Sequence, residues 1–135
     1  MRPLILIVVF IVTAISLCCA PSAEKNTALD GIKEFHAHFN RHEFSKIYKL
    51  AHPDARGKIS ENDFVEDMKR MRLGQGTATG FEEIATDYHY QNGTSMVKIL
   101  VLTSYEKGKA HEEFIYHLSG GRAQLASYRF LGPGN

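Results

Sequence analysis

The side chains able to do chemistry fall into two groups, both built from histidine, carboxylate and tyrosine. The first is His36, His38 and His42. His38 and His42 are four residues apart, one helical turn, a spacing that can bring two imidazoles to one metal ion. Glu34 and Glu43 stand close enough to add oxygen ligands. Nothing in the pattern fixes a third ligand, and two histidines alone hold zinc poorly. No metal site and no cofactor are therefore expected here. On a helical wheel His38 turns away from the apolar positions, and His42 falls past the helix end. His36 flanks the apolar face, where a histidine is more often a hydrogen-bonded core residue than a base.

The second group is Asp87, His89, His111, Glu113 and His117, interleaved with Tyr88, Tyr90, Tyr116 and Tyr128. On a curled sheet the face turned to the helices can enclose a pocket. Tyrosine hydroxyls and a buried carboxylate there would bind or polarise a carbonyl. The plainer reading is a sheet with one wet face, where acids and histidines meet solvent and cross-strand partners. Proton transfer would need Asp87, Glu112 or Glu113 unpaired and desolvated inside the pocket. All three are expected at the surface or paired, so no catalytic residue is assigned. The ligand-pocket candidates are Tyr88, Phe114, Tyr116 and His36, whose rings and few polar points suit a small amphipathic ligand.

Weaker signals fall away. Gly74-Gln75-Gly76 ends a helix instead of opening one, so it is no phosphate loop. Asn92-Gly93-Thr94 fits a glycosylation acceptor, but its Asn-Gly pair is accounted for as a hairpin turn. The chain has 135 residues, 44% apolar, with 16 Lys+Arg against 15 Asp+Glu. That balance offers no basic field for nucleic acid and no acidic tail. The length bounds the chain to one domain. Its two cysteines, Cys18 and Cys19, are adjacent, which excludes a disulfide framework.

The elements that must position these groups follow from periodicity. Leu29, Ile32, Phe35 and Phe39 recur at helical steps from about Thr27 to Asn40, with Asn26 or Thr27 as cap. Phe44, Ile47, Tyr48 and Ala51 mark a second helix that Pro53 stops, and residues 52–58 read as a loop. Ser60 and Asp63 resemble a capping box opening a third helix with Phe64, Val65, Met68 and Met71 on one side. Gly74 and Gly76 close it.

Beyond Thr77 the period becomes two. A strand around residues 84–90 meets the Asn92-Gly93 turn. Thr94 to Tyr105 is apolar on both faces, so it lies centrally. Ala110 to Leu118 alternates, with Glu112, Phe114, Tyr116 and Leu118 on one face. Gln124 to Leu131 follows, and residues 132–135 read as a frayed end. The reading is an α+β domain over residues 28–131, three N-terminal helices packed on a curved four-stranded antiparallel sheet.

That order resembles the cystatin-like cone of the nuclear transport factor 2-like superfamily. Phe35 to Phe39, Phe44 to Tyr48, and Ser60 to Phe64 carry the likeness. Arg70-Met71-Arg72-Leu73-Gly74 before the first strand is similar to small exported bacterial proteins of that superfamily with no known function. The resemblance spans about Leu29 to Leu131 and implies a helix–sheet cavity. Its members include ketosteroid isomerases, dehydratases, polyketide cyclases and ligand carriers. The acid and tyrosine constellation of the isomerases has no position-by-position match here.

The N-terminus reads as an address. Arg2 is the only charge before Glu24, and Leu4 to Leu17 is almost wholly apolar. A positive tip and a short apolar stretch make a secretory signal over residues 1–19, with residues 20–27 as a tether. Cysteines directly after the apolar stretch resemble a bacterial lipoprotein signal, although Leu17 stands where a small residue is usual. The leading reading is an exported, lipid-anchored, noncatalytic domain of the cell envelope that binds a small ligand or a partner protein. The rivals are an isomerase- or dehydratase-like enzyme and a structural module that forms a homodimer through its sheet. Mass spectrometry of the mature N-terminus is expected to find lipid on Cys18 or Cys19, and an unmodified chain starting at Pro21 would refute it.

Overall fold

The computed structural model describes residues 21–134; the signal and lipidation sites expected at residues 1–20, Cys18 and Cys19 included, lie outside the described residues. Four helices precede four strands: α1 (Pro21–Asn40), α2 (Phe44–Leu50), α3 (Pro53–Arg56), α4 (Glu61–Gln75), β1 (Ala78–Gln91), β2 (Thr94–Tyr105), β3 (Gly108–Ser119) and β4 (Arg122–Pro133). The strands form one antiparallel sheet in the order β1-β2-β3-β4, curved and unclosed. The α+β class is as the sequence implies. No helix among the described residues is long and apolar enough to cross a membrane.

The core lies between α1 and the two central strands. Ala28, Ile32, Phe35 and Phe39 follow the helical period, and all four are buried. Opposite them β2 contributes Val97, Ile99 and Val101 at the strand period, and β3 contributes Ala110, Phe114 and Tyr116. Phe35 stands edge-on to Phe114 with ring centroids 5.1 Å apart, a favoured aromatic geometry. Glu112, on the same face as Phe114, is wholly buried.

Three boundaries differ from the sequence reading. First, α1 starts at Pro21, through the segment read as a tether. Its early turns are held to the sheet: Ser95 Oγ donates to Glu24 at 3.0 Å, and Lys25 pairs with Glu83 at 3.3 Å. Polar tethering, which leaves no apolar periodicity, is what orders them. Second, the loop over 52–58 contains α3, a fourth helix. Proline stops one helix and can begin the next, because the missing N–H at the first turn has no partner to lose. His52 caps α3 by accepting from the Asp54 N–H at 3.2 Å. Third, the end read as frayed is paired: Gly132 lies opposite His111 and Pro133 opposite Ala110, and Gly134 N–H donates to the Lys109 carbonyl at 2.9 Å. Pro133 is tolerated because β4 is an edge strand.

Other local signals act as read. Asn92 and Gly93 both have positive φ, 52° and 76°, and turn β1 into β2. Ser60 Oγ accepts from the Asp63 N–H at 3.1 Å and caps α4. The end of α1 is tied to the start of β1: the Asn40 side-chain amide donates to the Ala78 carbonyl and its oxygen accepts from the Ala78 N–H, each at 2.8 Å.

At Gly31 α1 lies close against the sheet. A Cβ there would meet the Tyr116 ring at 2.9 Å, and that ring is buried and cannot swing away. Gly74, near the end of α4, has open space at the same position. Gly31→Val is therefore expected to cost about 2 kcal/mol by overpacking, while Gly74→Ala gains about 0.5–1 kcal/mol of helix propensity. Urea unfolding of the two variants checks the opposite signs.

Candidate functional site

The alternation of β3 turns Glu112 inward between Ala110 and Phe114, so a carboxylate faces α1 with no solvent exposure at all. A buried charge must be met by donors, and the neighbouring elements supply four. His36 Nε2, from α1, lies 2.9 Å from Oε2. Thr103, from β2, donates its hydroxyl to the same oxygen. Tyr105 of β2 and Tyr128 of β4 each donate to Oε1 at 2.6 Å. An ionised carboxylate only accepts, so the His36 Nε2 facing it carries hydrogen.

Burial by itself pushes the Glu112 carboxyl upward. The His36 hydrogen bond and charge, then the Thr103 and Tyr105 hydroxyls, outweigh it and hold the group below its ordinary value. The phenols of Tyr105, Tyr116 and Tyr128 are pushed well up, first by burial and then by the Glu112 charge, so all three keep their protons. The arrangement is a saturated anion: every donor is committed and the carboxylate is not free to take a proton from a ligand.

Tyr128 connects this network to open space. Its hydroxyl reaches Glu112 and lies 3.2 Å from Met71 Sδ, while its ring lines a cleft of about 490 Å³ between the helices and β4. Phe64, Met68 and Met71 of α4 form one wall. Leu125 and Ala126 of β4 line it too, and Ala51 and Ala55 border it. The cleft exists because the β3–β4 register slips between Ile115 and Tyr116, so that Leu125 and Ala126 are consecutive in β4 and yet both buried. Small Ala126 there leaves room under α4. The rim is polar: the exposed Lys58 has no ion-pair partner among the described residues, and Arg70 is paired with Asp67. Tyr48 donates to the Ile59 carbonyl at 2.9 Å and fixes the loop before α4.

Of the sequence-derived pocket residues, His36, Phe114 and Tyr116 come together in the core and Tyr88 does not join them. Phe114 and Tyr116 are stacked on one another in the core with centroids 6.1 Å apart. His36 packs beside Phe114 at 5.9 Å and is committed to Glu112. Tyr88 is 43% exposed on edge strand β1, away from them. None of the four borders the cleft. Of the acids, Glu112 is buried and fully partnered, Asp87 pairs with Lys98 at 3.4 Å and Glu113 with Arg129 at 3.7 Å. His38 corrects the wheel: it is only 5% exposed, between Glu34 and Glu43. Arg41 and then His38 pull the Glu43 carboxyl down to about 2. His42, with φ of 60°, sits in the turn after α1 and does not join His38. His52, Asp54 and His117 do come together where α3 meets the sheet. The cleft had no signal in the sequence, since a bulge leaves no mark on composition.

No family model, no curated protein and no solved structure matches the chain.

Glu112→Gln keeps the shape but mismatches donors with an amide. It is expected to cost about 2–4 kcal/mol at pH 7, the range for breaking a buried charged set. The sign follows from the lowered carboxyl: the ionised set stabilises above the unfolded value of about 4.3 and is lost as pH falls through the lower folded value. Chemical denaturation from pH 7 down to pH 3 should therefore show the gap between parent and variant narrowing below about pH 4.

Proposed function

We propose that the chain is a noncatalytic binding module of the cell envelope. It is exported, held to the membrane by lipid on Cys18 or Cys19, and folded in the cystatin-like manner. Its ligand is a small amphipathic molecule, apolar in its body and polar at one end. The observation that carries this reading is the cleft between α4 and β4. It is walled by Phe64, Met68, Met71 and Leu125, and Lys58 stands at its rim. Such a site buries an apolar body and leaves one charged point for a head group.

The enzymatic alternative has less support. The one carboxylate on the inner face that is wholly buried is saturated by four donors and screened from the cleft by Tyr128. Proton transfer asks for an acid or base with a free lone pair or proton near the substrate.

The test uses a fluorescent anilinonaphthalene sulfonate as probe and laurate as competitor. Saturable probe fluorescence that laurate displaces is expected. Ala55→Trp, which sets an indole on the cleft lining, should weaken probe binding more than about tenfold, a loss of about 1.4 kcal/mol. Circular dichroism and melting must show the variant folded. Absence of saturable binding, or equal binding by the folded variant, would refute the cleft as the site.

A further inference from the structure

We propose that His52, Asp54 and His117 form a binding site for one divalent first-row transition-metal ion. The site is independent of the cleft, although it borders the same short helix.

Two distant stretches of chain deliver the three donors. His52 is the cap of α3, and its backbone N–H donates to the Leu125 carbonyl at 2.8 Å, which stitches it to the edge of β4. Asp54 follows in the first turn of α3. His117 lies on β3, one strand in from that edge, opposite Gln124 and so beside Leu125 in register. Pro53 fixes the backbone between His52 and Asp54, which sets the two donors side by side.

The separations of Asp54 from the two imidazoles are those of neighbouring ligands. Asp54 Oδ2 lies 3.4 Å from His52 Nδ1 and 3.1 Å from His117 Nε2. On an ion bound at about 2.0–2.2 Å, adjacent nitrogen and oxygen donors sit about 3.0–3.5 Å apart. A ligand atom from each of the three residues falls within 4.8 Å of the others. The imidazoles are stacked, centroids 3.9 Å apart and planes 7° from parallel. An ion must lie near the plane of each ring that binds it, so loading turns one ring out of the stack. His52 is the more exposed, at 25% against 14% for His117, and is the ring able to turn. If it binds through Nδ1, the metal replaces the hydrogen bond from the Asp54 N–H.

The donor chemistry selects the ion. Two imidazoles and one carboxylate suit zinc, cobalt, nickel or ferrous iron and leave the remaining positions to water. Calcium and magnesium, which prefer oxygen throughout, are poorly served. An ion held there joins α3 to β3 through Asp54 and His117, residues 63 apart in sequence. Because the unfolded chain cannot hold the three donors together, loading stabilises the folded state.

The experiment is a cobalt(II) titration of the tag-free full chain in mild detergent, followed by absorption, with zinc competition and melting in parallel. One cobalt per chain is expected, with a visible d–d spectrum that zinc abolishes, and zinc should raise the melting temperature by several degrees. His117→Ala and Asp54→Asn should each weaken cobalt binding more than about tenfold. His42→Ala should leave it unchanged. The exposed Asp54 makes Asp54→Asn the variant least able to disturb the fold, and metal-free melting verifies that for each variant. No saturable spectrum, unchanged binding in folded His117→Ala and Asp54→Asn, or a sulfur-to-cobalt charge-transfer band that places the ion on Cys18 and Cys19, would each overturn the proposal.

Discussion

A single negative charge in the middle of the core governs how the rest is arranged. Removing a carboxylate from water costs several kcal/mol unless donors replace the water, and the donors around Glu112 come from α1, β2 and β4. Each constrains a different degree of freedom. His36 sets the rotation of α1 about its axis, Thr103 and Tyr105 set the register of β2, and Tyr128 sets that of β4. A slip of one residue in β3 would send Glu112 to the outer face and bring Glu113 inward, where none of these donors is aligned to meet it. Apolar packing alone would tolerate more than one such arrangement; the charge tolerates one.

The same network divides the molecule into a fixed part and an accommodating part. On the α1 side, Phe35, Phe114 and Tyr116 are interlocked aromatics with little freedom. On the α4 side the walls include Met68 and Met71, flexible unbranched side chains that fill irregular space. Tyr128 belongs to both, with its hydroxyl on the charge and its ring on the cleft.

Much of the architecture was legible before the structure. Period-two alternation in residues 110–118 gave β3 with Glu112, Phe114 and Tyr116 on one face. The Asn92-Gly93 pair gave its hairpin, and Ser60 with Asp63 gave the start of α4. What failed did so for physical reasons. The first turns of α1 are held by Glu24 and Lys25 through polar contacts, which hydrophobic periodicity cannot register. Pro53 marks the end of α2 in the sequence, yet the same residue also begins α3. A helical wheel puts His38 on the wet face because it cannot foresee what packs against that side, where Ile47 and Leu50 of α2 come near it and Glu34 and Glu43 pair with it. Tyr88 and Tyr116 share a face of the sheet, yet Tyr88 stands on an edge strand and Tyr116 on a central one, so one is largely open and the other is buried. The cleft depends on a register slip between Ile115 and Tyr116, which no single residue announces.

The clasp between Asn40 and Ala78 has a consequence for life in a crowded compartment. An uncovered outer strand is a template on which another polypeptide can add itself and begin an aggregate. β1 is such a strand, fourteen residues long and mostly exposed. The Asn40 amide occupies both main-chain groups of its first residue. Further along, a register irregularity between Glu83 and Ala85 bends the strand, and the exposed Glu82 sets a charge beside it. Blocked at its start and kinked in its middle, this border of the sheet is guarded against recruitment of a second chain.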